Sequence, residues 1–310
     1  MTLPGGRRPG SPSRRPPVGS SPPTERVMSR HYLFVSDFDQ TLSYNDSGRL
    51  LSERLGIARF DEKVAGLARL NLVQAGAELT YLLRHDPEYR RVRREDLVAV
   101  GRTIRLKRNI DRLPGLLARG IDGHDFEMYV VSAAPEDIVL AALAGIVPAD
   151  HVIATRLAFD PHSGEICGVE RVAAGQGKVA AVDALRAARG VPRERVVYVG
   201  DGSSDLHVML HVSRADGLTI AVSQARSITQ IARRTVLSDD ALAVLVPILE
   251  ELVGHDPRQV RAFFERHALE IQEWDRVRTD WLTIRDGDAP AAAPESGRDA
   301  DDGPTLAVVA

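Results

Sequence analysis

The sequence predicts an α/β protein, a doubly wound and mostly parallel sheet of the Rossmann type with an α-helical domain inserted after its first strand. Three observations predict it. Between residues 126 and 223, short apolar β-rich runs alternate with helical stretches. That alternation implies a parallel sheet covered on both faces. The first apolar run, HYLFVS at 31–36, is instead followed by helical spacing from about Asp46 to Arg112, with no convincing strand. Finally, the apolar runs end in carboxylates, a serine and glycines, at the strand ends where open α/β sheets bind ligands.

The elements follow in order. Residues 1–29 are rich in Pro, Gly, Ser and Arg and read as a disordered arm. Folded structure begins near Arg30, and HYLFVS is a buried strand. Residues 46–111 carry apolar residues three and four apart, in FDEKVAGLARLNLVQAGAELTYLLRH and again in REDLVAVGRTIRLKRNI. They read as a helical cap over the carboxyl edge of the sheet. Strands resume at FEMYVVS (126–132) and HVIATRLAF (151–159), and GEICGVE (164–170) pairs back on the latter through the turn DPHSG. RVVYVG (195–200) and LTIAVS (218–223) complete the sheet, with PEDIVLAALAG, GKVAAVDALRAARG and SDLHVMLHV as intervening helices. The expected core is therefore 30–45 with 112–245, followed by C-terminal helices over 246–284 and a disordered acidic tail over 285–310. A last amphipathic helix, roughly 257–284, carries Phe263, Phe264, Ile271, Trp274 and Trp281, and either packs on the body or forms a homodimer contact.

Composition narrows the function. The 310 residues are 44% hydrophobic and 27% charged, enough for a sizeable core, and a net charge of −3 gives no general attraction to nucleic acid or membranes. No apolar run approaches the roughly 18 residues of a membrane helix, and the N-terminal arginines have no apolar stretch behind them. A single cysteine, Cys167, rules out an intrachain disulfide and fits a reducing, cytoplasmic compartment. The basic runs YRRVRRED and RTIRLKRN read as solvated helix faces balanced by Glu88, Glu95 and Asp96, not as a nucleic-acid surface. His207 and His211, at helical i, i+4 spacing, lack a third ligand and read as helix surface or packing.

Four segments bear chemistry. In VSDFDQT, Asp37 and Asp39 lie two apart on extended backbone, so both can face one site while Phe38 faces the core. Like charges at a strand end repel and resist desolvation, and a cation offsets both effects. In VVSAAPED, Ser132 ends a strand just before a helix, where a hydroxyl and free N–H groups can bind an anion. In GQGKVAAVD, Lys178 begins a helix after two glycines and can neutralise a phosphate as a point charge. In VVYVGDGSSD, Asp201 and Asp205 follow another buried strand and suit Mg²⁺, which prefers oxygen ligands. Taken singly, each also reads as an ordinary helix cap, turn or surface residue.

Together and in this order, DFDQT (37–41), Ser132, Lys178 and GDGSSD (200–205) resemble the haloacid dehalogenase (HAD) superfamily of phosphatases over about residues 31–240. The helical insertion resembles the cap of its phosphoserine phosphatase-like branch. The resemblance implies that Asp37 is the nucleophile and forms an aspartyl-phosphate, and that Asp39 protonates the leaving group and then activates water. It implies Mg²⁺ held by Asp37, Asp201 and the backbone carbonyl of Asp39, with Asp205 supporting the metal. It implies phosphate contacts from Ser132, Lys178 and Thr41, and a substrate-reading role for Asp46. The second aspartate favours phosphoryl transfer to water over carbon–halogen cleavage.

Three departures bear on the substrate. SAAP stands where phosphoserine phosphatases carry SGG, Ser204 stands where they carry Asn, and Asp46 stands where they carry Glu. Arg84, Arg94 and Arg105 are candidate partners for a substrate carboxylate, and spacing selects none of them. The expected activity is Mg²⁺-dependent hydrolysis of a small phosphomonoester. The alternatives are a phosphomutase and a weakly catalytic binding or regulatory protein of the same fold.

Overall fold

Seven strands form one sheet in the order β4-β3-β2-β1-β5-β6-β7. The computed structural model describes residues 1–2 and 29–274. The strands are β1 (Arg30–Ser36), β2 (His124–Pro135), β3 (Val152–Phe159), β4 (Ile166–Arg171), β5 (Val196–Gly200), β6 (Leu218–Ala221) and β7 (Arg234–Thr235). All neighbours pair in parallel except β3 and β4. β1 lies at the centre, with Ser36 opposite Val130 of β2 on one side and Val199 of β5 on the other. The chain runs outward from β1 in one direction through β2 and β3, then in the other through β5 and β6, so the strand order reverses at β1. Such a reversal opens a crevice at the carboxyl ends of the strands.

The sequence makes this arrangement favourable. Leu33, Phe34 and Val35 of β1 are all fully buried, as are Val130 and Val131 of β2 and Val197 and Tyr198 of β5. Continuous apolar runs of this kind suit strands with helices on both faces. One core cluster joins β1, β2, β5 and two of the covering helices through Val35, Val131, Val182, Tyr198, Val208 and Val212.

The helices are α1 (Ser47–Leu55), α2 (Phe60–Arg69), α3 (Glu78–His85), α4 (Arg94–Thr103), α5 (Leu113–Ala118), α6 (Glu136–Ala142), α7 (Gln176–Arg189), α8 (Leu206–Ser213), α9 (Arg226–Thr229), α10 (Leu245–Ile248) and α11 (Pro257–Arg266). The expected helical insertion is α1 to α4. Its return segment pairs only through isolated bridges, Ser43 with Leu106 and Arg108 with Asp240. The insertion packs on the body chiefly through α4 against α6. Gly101 permits that approach, because a Cβ there would lie 2.3 Å from the backbone oxygen of Ile138 and 2.7 Å from Ala141 Cβ. Gly101→Ala is therefore expected to lower stability by about 1–3 kcal/mol through overpacking. In an unpacked helix the same change would gain about 1 kcal/mol. Chemical denaturation decides the sign, and a stabilised variant would contradict this packing. The basic run before α4 is partly used in the same contact. Arg93 reaches Glu165 at 3.4 Å, and Arg94 reaches Asp137 at 3.3 Å and lies over the Phe159 ring.

The β3–β4 hairpin turns at DPHSG as expected, with Asp160 Oδ1 accepting from the backbone N–H groups of His162 and Ser163. Three elements escape the sequence reading: the short α5, the four-residue α9, and β7, only two residues long. The terminal helix is a correction. It ends at Arg266 rather than near residue 284. Ala268 turns into left-handed backbone (φ 54°), and the His267 ring Nδ1 contacts the Phe263 carbonyl oxygen at 2.8 Å. Phe263 and Phe264 are buried, but Ile271 and Trp274 follow on irregular chain and only continue the apolar spacing. The described residues up to Leu269 belong to one compact unit, and 270–274, the described part of a second, contain no helix or strand. Most of the expected N-terminal arm, together with Trp281 and the acidic tail, lies outside the described residues. Among the described residues, no helix is long and apolar enough to cross a membrane.

Candidate active site

Asp37 leaves the end of β1 while its backbone N–H still donates to Val199 O of β5 at 2.9 Å. The nucleophile candidate is thereby fixed at the reversal point of the sheet. Asp201 leaves β5 beside it, and carboxylate oxygens of Asp37, Asp201 and Asp205 lie within 4.8 Å of one another. Lys178, near the start of α7, is fully buried, with Nζ 2.9 Å from Asp37 Oδ1 and 2.6 Å from Asp205 Oδ1. Three carboxylates and one ammonium thus share a small, desolvated volume.

Asp205 is more fully engaged than the sequence suggests. Its Oδ1 accepts from Lys178 Nζ and from the Tyr198 hydroxyl at 2.7 Å, and its Oδ2 accepts from the N–H groups of Asp201 at 3.1 Å and Gly202 at 3.2 Å. Four donors fill the roughly four lone-pair positions of a carboxylate. Tyr198 was missed as a site residue. Its signal was a lone phenol in an otherwise aliphatic strand, VVYVG, since a buried hydroxyl needs a partner.

The other expected residues fall around this centre. Thr41 Oγ1 contacts Asp201 Oδ1 at 3.4 Å. Ser132 is buried at the carboxyl end of β2, two residues beyond the Val130 that faces Ser36, and its hydroxyl accepts from the Ala134 N–H at 3.2 Å. Asp39 accepts at Oδ1 from the Ser47 hydroxyl, 2.6 Å away. Asp46 caps α1, its Oδ1 accepting from the Arg49 N–H at 2.8 Å. Neither Arg84 nor Arg94 nor Arg105 has a hydrogen bond or ion pair to the acidic cluster. Arg94 turns to Asp137, and Arg105 stacks on Tyr44 with its guanidinium carbon 4.4 Å from the ring centroid. His211 pairs with Asp183 at 3.1 Å, away from the acidic cluster, as a packing role predicts.

A loop of the insertion closes on the same edge. A Cβ on Gly76 would lie 2.7 Å from Ser204 Cβ, 3.3 Å from Ala133 Cβ and 3.4 Å from Ala174 Cβ. These three residues belong to the segments that carry Asp205, Ser132 and Lys178. Gln74 of the same loop accepts through Oε1 from the Gln176 N–H at 3.1 Å. Small side chains at Ala133, Ala174 and Ser204 are what let the loop come so near. The departures from SGG and Asn noted in the sequence therefore line a contact with the insertion.

The charges respond to burial. Desolvation, helped by the charge of Asp205, pushes Asp37 up to about 6 in spite of Lys178. Desolvation, with Asp37 and Asp205 beside it, pushes Asp201 up to about 8. Asp39 is held well above the usual carboxylate range by burial and by Asp46, with Ser47 opposing. Burial would lower Lys178, but Asp205 and Asp37 outweigh it and hold the ammonium above the ordinary lysine range. Lys107, buried and near Asp201 and Asp239, is lowered because desolvation dominates.

These shifts carry a signed stability prediction. Asp37 and Asp201 bind protons more tightly in the folded chain than at the unfolded value of 3.8. Between about pH 4 and pH 8 the folded state therefore holds more protons, and stability falls as pH rises through that window. In EDTA the melting temperature is expected to drop between about pH 6 and pH 8.5, and saturating Mg²⁺ is expected to reverse most of that drop. A thermal melt that is flat or rising over the same range in EDTA would contradict the cluster's electrostatics.

The donor set fits a hard divalent cation. Its atoms are carboxylate oxygens, they crowd one another, and burial together with that crowding makes Asp37 and Asp201 protonate more easily than is normal.

A family model for haloacid dehalogenase-like hydrolases matches residues 34–210. The fold is also that of solved phosphoserine phosphatases. A substrate-bound phosphoserine phosphatase complex superposes with a TM-score of 0.57 at 19% identity, covering 70% of this chain and 98% of the other. A phospho-aspartyl intermediate analogue of phosphoserine phosphatase gives 0.57 at 20% identity, with the same coverage. A probable phosphoserine phosphatase from Vibrio cholerae gives 0.56 at 20% identity, over 74% of this chain and 68% of the other. Among functionally curated proteins, none matches the chain. With the matched span running from β1 through the aspartates after β5, the chain belongs to the haloacid dehalogenase-like hydrolase family.

Proposed function

We propose that the protein is a Mg²⁺-dependent phosphatase that hydrolyses a small organic phosphomonoester through an aspartyl-phosphate on Asp37. One observation carries the reading. A carboxylate at the reversal point of the sheet lies 2.9 Å from a fully buried lysine and clusters with a second strand-end aspartate. Asp37 attacks phosphorus, and the ester P–O bond breaks. The departing alkoxide takes a proton from Asp39. Asp39 then removes a proton from water as that water attacks the acyl phosphate, which releases inorganic phosphate and regenerates Asp37. Lys178 and Ser132 hold the phosphoryl oxygens, and Thr41 steadies Asp201.

Asp37 and Asp201, with the backbone carbonyl of Asp39, would hold Mg²⁺, which when bound would supply positive charge to offset repulsion between the carboxylate and the phosphoryl dianion. Asp205, with its four acceptor positions filled, serves the site by holding Lys178 and the Asp201–Gly202 turn rather than by binding the metal directly. The insertion acts as a cap, and Gly76 brought against Ser204, Ala133 and Ala174 favours a small substrate over a macromolecule. The exposed, unpaired Cys167 accords with a cytoplasmic setting.

Phosphate release from a panel of small phosphomonoesters, O-phosphoserine among them, tests the reading with Mg²⁺ and with EDTA. Metal-dependent release is expected. Transfer to a second hydroxyl without release would instead indicate a mutase, and folded, Mg²⁺-saturated protein that turns over no ester would indicate a binding protein.

A further inference from the structure

We propose that Ser47 is a positioning residue for Asp39, so that the first residue of the inserted domain's first helix sets the geometry of proton transfer. The inference rests on the phosphatase reading above and goes beyond the residues that reading uses. Ser47 is fully buried. Its Oγ donates to Asp39 Oδ1 at 2.6 Å, and its backbone N–H also bonds that carboxylate. Ser47 does not cap α1, because Asp46 does so through the Arg49 N–H. Its hydroxyl is therefore left for Asp39.

A hydroxyl suits this task. It donates to Oδ1 both when Asp39 is a carboxylate and when Asp39 is an acid protonated on its other oxygen. Both protonation states that the reaction visits can thus keep the same partner, and the carboxyl group stays in one orientation with its second oxygen left to exchange the proton. The contact also joins two parts of the fold. Asp39 lies on the loop after β1, whereas Ser47 opens α1, the first helix of the insertion.

The test uses leaving groups that differ in their need for an acid. Ethyl phosphate expels an alkoxide and depends on proton donation. Acetyl phosphate is of similar size and expels acetate, which does not. For Ser47→Ala, kcat/KM is expected to fall roughly 10- to 100-fold on ethyl phosphate, part of the roughly 10²–10⁴-fold that general acid catalysis supplies, and less than about threefold on acetyl phosphate. Ser47→Thr, which keeps the hydroxyl, is expected to recover ethyl phosphate hydrolysis to within about threefold of wild type. An alanine at the first helical position is compatible with the helix, and a thermal melt of each variant checks folding.

Equal losses on the two substrates, or no loss, in a protein whose wild type hydrolyses both would overturn the role of Ser47 alone. A wild type that hydrolyses neither of them nor any ester of the panel would overturn the phosphatase reading, and this role with it.

Discussion

Asp37→Asn is expected to reduce Mg²⁺-dependent phosphate release by ~10⁴-fold or more, because an amide cannot form the covalent intermediate. The loss should appear in kcat, with the fold intact. In EDTA near pH 8 the variant is expected to melt no lower than wild type. Burial already pushes Asp37 up to about 6, so removing its charge relieves Asp201 and Asp205. Lys178 keeps its 2.6 Å partner Asp205. Mg²⁺ affinity should weaken, since one carboxylate ligand becomes a neutral amide. Residual turnover within tenfold of wild type would remove Asp37 from the nucleophile's role.

Lys178→Met carries the second large effect, and it bears on stability as well as turnover. The ammonium is fully buried between Asp37 and Asp205. Removing one partner of a buried ion pair leaves uncompensated charge and typically costs about 3–5 kcal/mol. Here Asp37 and Asp205 would lose the one cation that, among the described residues, lies within salt-bridge distance of them. Denaturant titration in EDTA should show that loss most strongly near pH 8, where Asp37 is ionised, and less near pH 5. Phosphate release should fall by roughly 10²–10³-fold even in Mg²⁺, as the phosphoryl oxygens lose a fixed positive charge. Lys178→Arg is not a rescue, because a planar fork does not replace a point charge in a site this closely filled. A Lys178→Met protein as stable as wild type in EDTA near pH 8 would mean that the buried carboxylates are neutral there.

Much of the molecule was legible because a few physical rules act locally. Short apolar runs such as LFV in β1 and VVYV in β5, β-rich and ending at Asp or Gly, read as strands buried on both faces, and the apolar residues of 46–111, three and four apart, read as helix. The strand-end aspartates, Ser132 and Lys178 were legible because their positions relative to those runs place them on one edge. What escaped depends on contacts between distant residues. Nothing around Gly76 in the sequence says that it rests on Ser204, Ala133 and Ala174. Asp205 reads as a metal support, and nothing in the sequence says that Tyr198 and two backbone N–H groups also donate to its carboxylate. Asp46 reads as a substrate contact, yet its Oδ1 is engaged in capping α1. The over-long final helix arose because Phe264, Ile271 and Trp274 keep helical spacing past Ala268, where the backbone has already turned left-handed.

The covalent intermediate is the central claim, and trapping it is the most direct measurement. Wild-type protein would be mixed with Mg²⁺ and the best substrate of the panel, quenched in acid within the first turnovers, and mapped by mass spectrometry alongside Asp37→Asn. The account predicts one phosphoryl group on the peptide that holds residues 30–45, localised to Asp37 and missing from the variant. Rapid phosphate release with no phosphorylated peptide at any quench time, or a phosphoryl group that persists in Asp37→Asn, would contradict it.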